Sequence, residues 1–450
     1  MSASLSDKNR RKDDILQRLN PADTFTLAMD EEIRQEGMAG SYGGFALELD
    51  QTPDITALQL RINELEQRFP VITASLQQRG KRYYWCRRPQ PINIFHQHPC
   101  PTDHDAETHQ RQTLETVMNR RESRSIVAPL AFHLITSRQQ NTFFMRWIHP
   151  LCDARSADLI LQYLCTDTAE QRALFNQPET ESLVNTYLGK QGLWKNIGLF
   201  LKAKRHIERI DQYQSILPIH QSGQQPQTVH YTIQRFDTEQ TTEIARQARQ
   251  QVGMGGVTLY YIGCLMRALE RINPEIPGEA YCIPYAFNLR KQKILTPMLG
   301  NHISALFAQA HRELVRGERS ALFKHLKQQY AEAIQNQIDY SFLPVMWLSS
   351  WLSLAKHGQH LRQSYQNKTE RSSFWFSDIG TPDFSHRTLL GATVTQLFHL
   401  CQISSPPALA LLSCQYQGRL TLSYNFVAPM IHQAWIDQLH HVMRKELLGE

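Results

Sequence analysis

The chain has 450 residues, of which 41% are hydrophobic and 20% are charged, with a net charge of +6 at neutral pH and a pI near 8.8. This composition is typical of a soluble globular protein and excludes an extensively disordered chain, and the length predicts two domains of roughly 200 residues each. The positive charge is a mild excess over a large surface, so it does not indicate a nucleic-acid partner. No stretch approaches the ~20 apolar residues of a membrane span, and we expect membrane contact to be peripheral at most.

The cysteines and the N-terminus indicate the cellular compartment in which we expect the protein. None of the eight cysteines belongs to a CxxC pair, and the first residues contain no apolar run like that of a signal peptide. We therefore expect reduced thiols in a cytoplasmic protein. Residues 1–18 are predicted to be a mobile tail, because most of this segment is polar and charged.

The first half of the chain alternates between strand and helix patterns. Such a mixture is typical of an α/β sandwich and not of a helical bundle, and we assign residues 19–178 to an N-terminal subdomain. In chain order, the hydrophobic patterns predict a strand at 43–49, a helix at 55–69, strands at 71–76 and 82–86, and a helix at 106–121.

A predicted β-hairpin, with strands at 131–136 and 141–148, leads to the most informative residue of the chain. His149 follows the second strand, and Pro150 disfavours helical geometry at that position. A histidine held at a strand end in a cleft can remove a proton from a hydroxyl, amine or thiol. Asp153 is a good N-cap for the apolar helix that follows. The spacing leaves open whether Asp153 pairs with an arginine or touches the imidazole directly.

Two neighbouring features have competing interpretations. Cys152 could be a thiol nucleophile beside His149, but no further local motif supports this, and a small buried cysteine is favoured. A second set of groups could bind zinc, yet its two prolines and irregular spacing fit no standard zinc pattern, so we favour a solvated loop and expect no metal. These groups are His96, His98, Cys100 and His104.

Residues 179–227 separate the two halves. The segment 192–212 mixes apolar and basic residues in an amphipathic pattern. We favour a helix that covers a core over one that contacts a membrane surface or an acidic carrier protein. The polar stretch 221–227, which contains glycine and proline, is the predicted linker.

Residues 228–450 repeat the α/β class of the first half and are assigned to a C-terminal subdomain. The segment 341–355 is densely apolar, which indicates a buried helix, although it could also line an acyl-chain channel. The remaining patterns predict a strand at 228–236, helices at 239–251 and 258–272, a strand at 281–285, a long helix at 312–339, an extended segment at 374–377, a strand pair within 408–425 and a terminal helix from 431.

The segment around His149 resembles the HHxxxDG motif of a large superfamily. That superfamily includes chloramphenicol acetyltransferase, the condensation domains of peptide synthetases, and the wax ester synthase/diacylglycerol acyltransferases. Here the second histidine and the aspartate of the motif are kept, as His149 and Asp153, while Ile148 and Ala154 replace the first histidine and the glycine.

Other segments that resemble this superfamily follow in the same order along the chain. They extend the resemblance over roughly residues 19–445, although each motif is loose by itself. The segments are Leu19-Asn20-Pro21-Ala22-Asp23, Pro129-Leu130-Ala131, Phe287-Asn288-Leu289-Arg290, Leu299-Gly300-Asn301, Phe376-Ser377-Asp378-Ile379-Gly380 and Tyr416-Gln417-Gly418-Arg419-Leu420.

The resemblance implies two α/β sandwich subdomains of the chloramphenicol acetyltransferase type, with a cleft or tunnel between them. It also implies acyl transfer, without a bound cofactor, from a thioester on coenzyme A or on the phosphopantetheine of an acyl or peptidyl carrier protein. The acceptor would be a small-molecule alcohol or amine. In this scheme His149 is the general base, and Asp153 is structural with Arg290 as its partner. The channel candidates are Ile148, Cys152, Ala154, Asn301, Ser377, Asp378 and Gly380.

The departures from the family pattern define the alternative. The segment Val257-Thr258-Leu259-Tyr260-Tyr261 stands where the wax ester synthase group has an Asn-Asp pair, which argues against wax ester or triacylglycerol synthesis. The changes at Ile148 and Ala154 are consistent with a non-catalytic, condensation-like protein. Such a protein would bind a carrier domain or another partner protein in the cleft.

Overall fold

The computed structural model describes residues 14–101, 105–166, 168, 172, 182–218, 227–290, 299–366, 370–381 and 387–450, with the backbone alone at 360–362 and 364–366. Within these ranges the chain forms two six-stranded sheets, one three-stranded sheet and the helices that pack on them. The predicted α/β class with two sheet-containing halves is confirmed.

The first six-stranded sheet has the order β12-β13-β2-β7-β6-β5. Its centre is the predicted hairpin, in which β6 and β7 pair antiparallel, while β2 pairs with the other edge of β7. Every residue of β7 is buried, so this strand lies in the middle of the first hydrophobic core. The strands are β2 (Tyr42–Leu49), β5 (Phe95–Pro99), β6 (Leu130–Thr136), β7 (Asn141–Ile148), β12 (Thr388–Leu389) and β13 (Ala392–Cys401).

The second six-stranded sheet has the order β10-β9-β11-β14-β15-β8. The short β11 runs parallel to both of its neighbours, whereas the other pairs in this sheet are antiparallel. Its strands are β8 (Thr228–Arg235), β9 (Ala280–Asn288), β10 (Ile303–His311), β11 (Trp375–Asp378), β14 (Leu409–Tyr416) and β15 (Arg419–Ala428).

Two strands of the second half, β12 and β13, belong to the first sheet. The predicted boundary, which places all of 228–450 in one subdomain, is wrong for Thr388–Cys401, because β13 pairs antiparallel with β2 from Val394 to Cys401. The apolar residues Leu397, Phe398 and Leu400 are buried in this position. The crossing strand therefore ties the two halves together by backbone hydrogen bonds.

Residues 15–18, which belong to the predicted mobile tail, form a strand. β1 (Ile15–Arg18) pairs with β4 (Arg82–Cys86), which also pairs with β3 (Ser75–Arg79). The extended segment predicted at 71–76 is instead a 3-10 turn, Pro70–Thr73, followed by β3. Residues 1–13 lie outside the described residues, as do residues 221–226 of the predicted linker.

Six of the twelve described helices begin at a residue whose side chain caps them. Asn20 and Asp23 form a capping box at the first helix, and Asp153 caps the helix after His149 by accepting a hydrogen bond from the Ser156 N–H. The helices are α1 (Pro21–Gln35), α2 (Ile55–Arg68), α3 (Ala106–Asn119), α4 (Ala154–Cys165), α5 (Leu183–Ile210), α6 (Thr238–Val252), α7 (Val257–Ile272), α8 (Arg312–Arg316), α9 (Arg319–Gln335), α10 (Ile338–Ser349), α11 (Leu354–Gln366) and α12 (Gln433–Leu448).

The long helix predicted at 312–339 is wrong as one element. It is divided at Gly317, which ends α8, and at Gln337, whose φ of 60° lies in the left-handed region. The densely apolar segment after it is only partly buried, because Trp347, Leu348 and Trp351 are each more than 40% exposed.

No single helix of the described residues is long and apolar enough to cross a bilayer. The helix pair Thr238–Val252 and Val257–Ile272, bent by 93°, meets that test by length and composition. Most of the apolar residues of this pair are buried in the second hydrophobic core.

Candidate active site

His149 lies just beyond the end of β7 and is fixed by its backbone. Its N–H donates to the Ser41 carbonyl at 2.9 Å, and its own carbonyl accepts from Asn301 Nδ2 at 2.9 Å. The residue is partly exposed, whereas its Nδ1 is buried without a hydrogen-bond partner. Burial lowers the pKa of the imidazole, an effect that its own carbonyl and the charge of Asp153 oppose. The ring is therefore neutral at physiological pH.

Asp153 is occupied by an ion pair and does not orient the imidazole. Arg290 donates to both carboxylate oxygens, at 2.9 and 3.0 Å, and both side chains are almost completely buried. The N–H groups of Ser156 and His302 donate to the same carboxylate. Burial by itself would raise the pKa of Asp153, but the charge and hydrogen bonds of Arg290 lower it to about 2. The ion pair implied by the resemblance is thus present.

The loop Leu299–His302 joins both halves at this point. Asn301 donates to the Asp23 carboxylate from its N–H at 2.6 Å and from its Nδ2 at 2.9 Å, and Asn20 Nδ2 donates to the Asn301 carbonyl at 3.2 Å. Since Asn301 Nδ2 also holds the His149 carbonyl, this side chain links helix α1 to the candidate base. Two segments of the resemblance that are 278 positions apart in the sequence are therefore in direct contact.

Asp23 has the most unusual carboxyl group at this junction. Burial raises its pKa to about 7, against the opposing hydrogen bonds from Asn20 and Asn301, and the nearby charge of Asp153 adds to the rise. The carboxyl therefore changes charge near neutral pH while it holds the loop that carries Asn301.

The raised pKa predicts a stability that depends on pH. A carboxyl whose pKa rises on folding contributes stability that is complete below its unfolded value near 3.8 and is lost as the pH rises through about 7. We expect the melting temperature of the wild-type protein to fall between pH 5 and 8, and that of Asp23→Asn to vary less, as measured by scanning fluorimetry across that range. Equal pH dependence in the two proteins would contradict this assignment.

Three channel candidates lie next to His149. Cys152 has no exposed surface and Ile148 is 5% exposed, so both belong to the first hydrophobic core and do not line an open channel. Burial raises the pKa of the Cys152 thiol well above its ordinary value, which agrees with the favoured interpretation of a small buried cysteine. Ala154 is partly buried at the first position of α4.

Comparisons with known proteins give the fold. No protein-family model matches the sequence, and no curated protein matches it. Solved structures match along almost the whole chain. A trichothecene 15-O-acetyltransferase from Fusarium sporotrichioides has a TM-score of 0.71 at 11% identity and covers 96% of this chain and 94% of its own. The wax ester synthase/diacylglycerol acyltransferase from Marinobacter aquaeolei VT8 has a TM-score of 0.59 at 14% identity and covers 96% and 100%.

A third structure is the starter condensation domain of rhizomide synthetase, solved in complex with C8-CoA and Leu-SNAC. Its TM-score is 0.66 at 9% identity, and it covers 100% of this chain and 97% of its own. The chain has the fold of condensation domains and related acyltransferases. The resemblance is therefore confirmed as a shared fold.

Of the other channel candidates, Ser377 and Asp378 lie on β11, and Gly380 follows two residues after the end of that strand. Asp378 accepts hydrogen bonds from the hydroxyl groups of Thr258 and Ser413, each at 2.8 Å, and from the Gly380 N–H at 2.9 Å. Ser377 pairs with Leu412 of β14 in parallel register. Among the described hydrogen bonds, none joins Ser377, Asp378 or Gly380 to His149. Thr258, which belongs to the segment that departs from the family pattern, thus has a structural partner.

A second histidine near His149 was missed in the sequence. His399 of β13 is 5% exposed, and its ring lies against those of Phe45 and Trp147, with centroids 4.9 and 5.9 Å apart. Burial lowers the pKa of His399 to about 3, and the proximity of His149 adds to this effect. His399 therefore stays neutral, and its Nδ1 is buried without a partner. Only the crossing of β13 into the first sheet brings this residue to the site.

The proposed zinc-binding residues lie apart from the site. We interpreted this segment as a solvated loop, but residues 95–99 form strand β5, so that interpretation is wrong for these residues. His98 Nε2 lies 3.0 Å from Nδ1 of His133 on the adjacent strand. His104 lies outside the described residues. Within the described part of the chain no group of three or more histidine, cysteine, aspartate or glutamate residues could hold a metal ion. The expected absence of a metal stays a prediction.

Among the pockets of the described residues, two lie on the C-terminal half. One, of about 550 Å³, lies between α7 and α12, and the other, of about 280 Å³, lies at the turn between α6 and α7. Neither is lined by His149, and residues 291–298, which follow Arg290, lie outside the described residues. The tunnel implied by the resemblance therefore stays a prediction.

Proposed function

We propose that the protein is an acyltransferase that moves an acyl group from a thioester to a hydroxyl or amine, with His149 as the general base. The observation that carries the proposal is the state of the imidazole. It is neutral and partly exposed, and it is held at the junction of the two halves by Ser41 and Asn301. The shared fold adds to this, since the similar structures include an acetyltransferase and a condensation domain solved with C8-CoA.

The proposed role requires the tautomer that carries its proton on Nδ1, the buried ring nitrogen. A proton on Nδ1 leaves Nε2 as the acceptor. Since Nδ1 is buried and the residue is partly exposed, Nε2 is the nitrogen available to a substrate.

In the proposed reaction the acceptor O–H or N–H gives its proton to Nε2 as the oxygen or nitrogen attacks the thioester carbonyl carbon. The tetrahedral intermediate then collapses, the C–S bond breaks, and the thiolate leaves with the proton from the imidazolium. The products are an ester or amide and a free thiol. The donor would be acyl-CoA or an acyl or peptidyl group on a carrier protein, and the chemistry requires no bound cofactor.

The test is a donor screen. Purified protein is mixed with acetyl-, octanoyl- or palmitoyl-CoA and with a panel of small alcohols and amines, and free thiol is measured together with the acylated product by mass spectrometry. We expect thiol release that depends on the acceptor with at least one donor chain length.

A non-catalytic role is the second candidate, and one observation favours it. The position before His149 is an isoleucine buried in the core, so the polar neighbour of the family motif is absent. In that case the screen gives no acceptor-dependent thiol release with CoA or carrier-bound donors, while a phosphopantetheinylated carrier protein still binds in a titration. That pair of results would reject the acyltransferase proposal.

A further inference from the structure

Helix α5 presents an apolar stripe to solvent. Leu193 is 72% exposed and Trp194 is 83% exposed, and Ile197 and Leu201 follow with 40% and 44%. Residues 193, 197 and 201 are four apart, so they share one side of the helix. Gly192, with a φ of 71°, breaks the helical geometry immediately before the stripe and makes Leu193 and Trp194 begin a new helical segment.

The same helix is strongly basic. It carries six lysine and arginine residues and a single acidic residue, Glu208, whose carboxylate lies 3.7 Å from Lys204 Nζ. Lys190 and Lys195 flank the bulky apolar pair, and both are exposed. The basic residues are Lys190, Lys195, Lys202, Lys204, Arg205 and Arg209.

Helix α10, which packs along α5, carries further exposed apolar side chains. The two helices meet where the rings of Tyr187 and Tyr340 stack at 4.2 Å, and Lys202 Nζ donates to Gln337 Oε1. Trp347 of this helix is 44% exposed. Trp351, just after the helix, is also 44% exposed, and its ring lies under the Arg82 guanidinium at 4.5 Å.

The start of α5 touches the candidate active site. The Leu183 N–H donates to His302 Nδ1 at 3.3 Å, and the His302 N–H in turn donates to Asp153. Val184 is completely buried against Ala22, Leu289 and Leu343. Trp194 lies eleven residues beyond Leu183 with the non-helical Gly192 between them, a span of no more than about 21 Å. The exposed stripe is therefore a short distance from the site.

We propose that α5 docks the protein on the surface of an anionic lipid bilayer, with Leu193 and Trp194 inserted at the level of the head groups. A helix with a basic face and a bulky apolar stripe lies in the plane of a membrane interface, where tryptophan is enriched. The lysines on both sides of the stripe match anionic head groups in charge. Apolar side chains exposed to this degree would each lose their contact with water on insertion. The surface would thus place the active site next to a membrane.

The test is a vesicle flotation assay with the full-length protein. The probes are vesicles of phosphatidylcholine alone and of phosphatidylcholine with phosphatidylglycerol. We expect the wild-type protein to float with the anionic vesicles, less so at high salt, and the double variant Leu193→Ser/Trp194→Ser to bind roughly tenfold more weakly. Lys190→Glu/Lys195→Glu should weaken binding to the anionic vesicles in the same assay.

The control is Met254→Ser. Met254 is an 88% exposed apolar residue at the turn before α7, away from α5, so its replacement should leave vesicle binding unchanged. Circular dichroism should be the same for all variants, because the altered side chains are exposed. Two results would overturn the proposal: no binding to anionic vesicles, or equal binding by Leu193→Ser/Trp194→Ser. Binding of this face to an acidic carrier protein without any vesicle binding would overturn it as well.

Discussion

Replacing His149 with alanine is expected to lower the rate of acyl transfer by about 10²–10⁴, the usual contribution of a general base. The residue is partly exposed, and its backbone contacts with Ser41 and Asn301 do not depend on the side chain. The free energy of unfolding should therefore change by no more than about 1 kcal/mol. Thiol release and a urea unfolding curve measure the two quantities in the same preparation.

A matched control is available in His311→Ala. His311 is an exposed histidine at the end of β10, so its removal should leave the rate unchanged. Full turnover by His149→Ala would rule out the proposed mechanism. A variant that is inactive because it is unfolded is recognised from its urea curve and circular dichroism.

The pH dependence of the rate provides a second measurement on the same residue. Since burial lowers the pKa of His149, the base is deprotonated above a value that lies below 6.5, and kcat/KM should rise with pH through a midpoint in that range. His399 has a pKa of about 3, so its deprotonation cannot cause this rise of kcat/KM with pH. We expect His399→Gln to keep the midpoint and His149→Ala to lose it.

The sequence predicts best what is decided by neighbours along the chain. The hairpin before His149 and the cap at Asp153 depend on β-branched and aromatic residues, a polar turn and an N-cap side chain, all within about twenty residues. Both are present as predicted. The pair between Asp153 and Arg290 came from the family resemblance, because the two residues are 137 positions apart and no local pattern links them.

Contacts between distant segments could not be predicted in this way. Asp23 and Asn301 are 278 positions apart, and each belongs to a polar segment that by itself indicates only a cap or a turn. The crossing of β13 into the first sheet could not be predicted for the same reason. The sequence patterns predict no strand at 392–401, and only the three-dimensional pairing with β2 assigns this segment to the first sheet. His399 was missed for this reason.

The predicted helix boundaries are wrong where a single residue ends or begins a helix. The apolar pattern from 312 to 339 continues across Gly317 and Gln337, and the left-handed conformation of Gln337 is uncommon for a residue with a side chain. Burial also depends on the packing partner. Trp347 and Trp351 belong to an apolar run that predicts a core helix, yet they face solvent.

The second large effect is expected at Asp153. Its carboxylate and the Arg290 guanidinium are 5% and 3% exposed, so the variant Asp153→Ala leaves a buried arginine without its counter-charge and removes the cap of α4. Loss of one partner of a buried pair costs about 3–5 kcal/mol. We expect the free energy of unfolding to fall by that amount, measured by urea unfolding at pH 7. The rate should fall too, because the same carboxylate holds the loop at His302.

Two comparisons separate the ion pair from general damage. The double variant Asp153→Ala/Arg290→Ala should lose less stability than the sum of the two single variants, since neither charge is then left unpaired. Asp211→Ala, which breaks a half-exposed ion pair with Arg371, should cost no more than about 1 kcal/mol.

The pH dependence of the free energy of unfolding gives a third comparison, between wild type and Asp153→Ala. The lowered pKa of Asp153 means that its contribution is complete above the unfolded value near 3.8 and is lost as the pH falls towards about 2, so wild type and Asp153→Ala should converge in acid. If Asp153→Ala were inactive but as stable as the wild type at pH 7, Asp153 would act in the chemistry and not in the architecture of the loop.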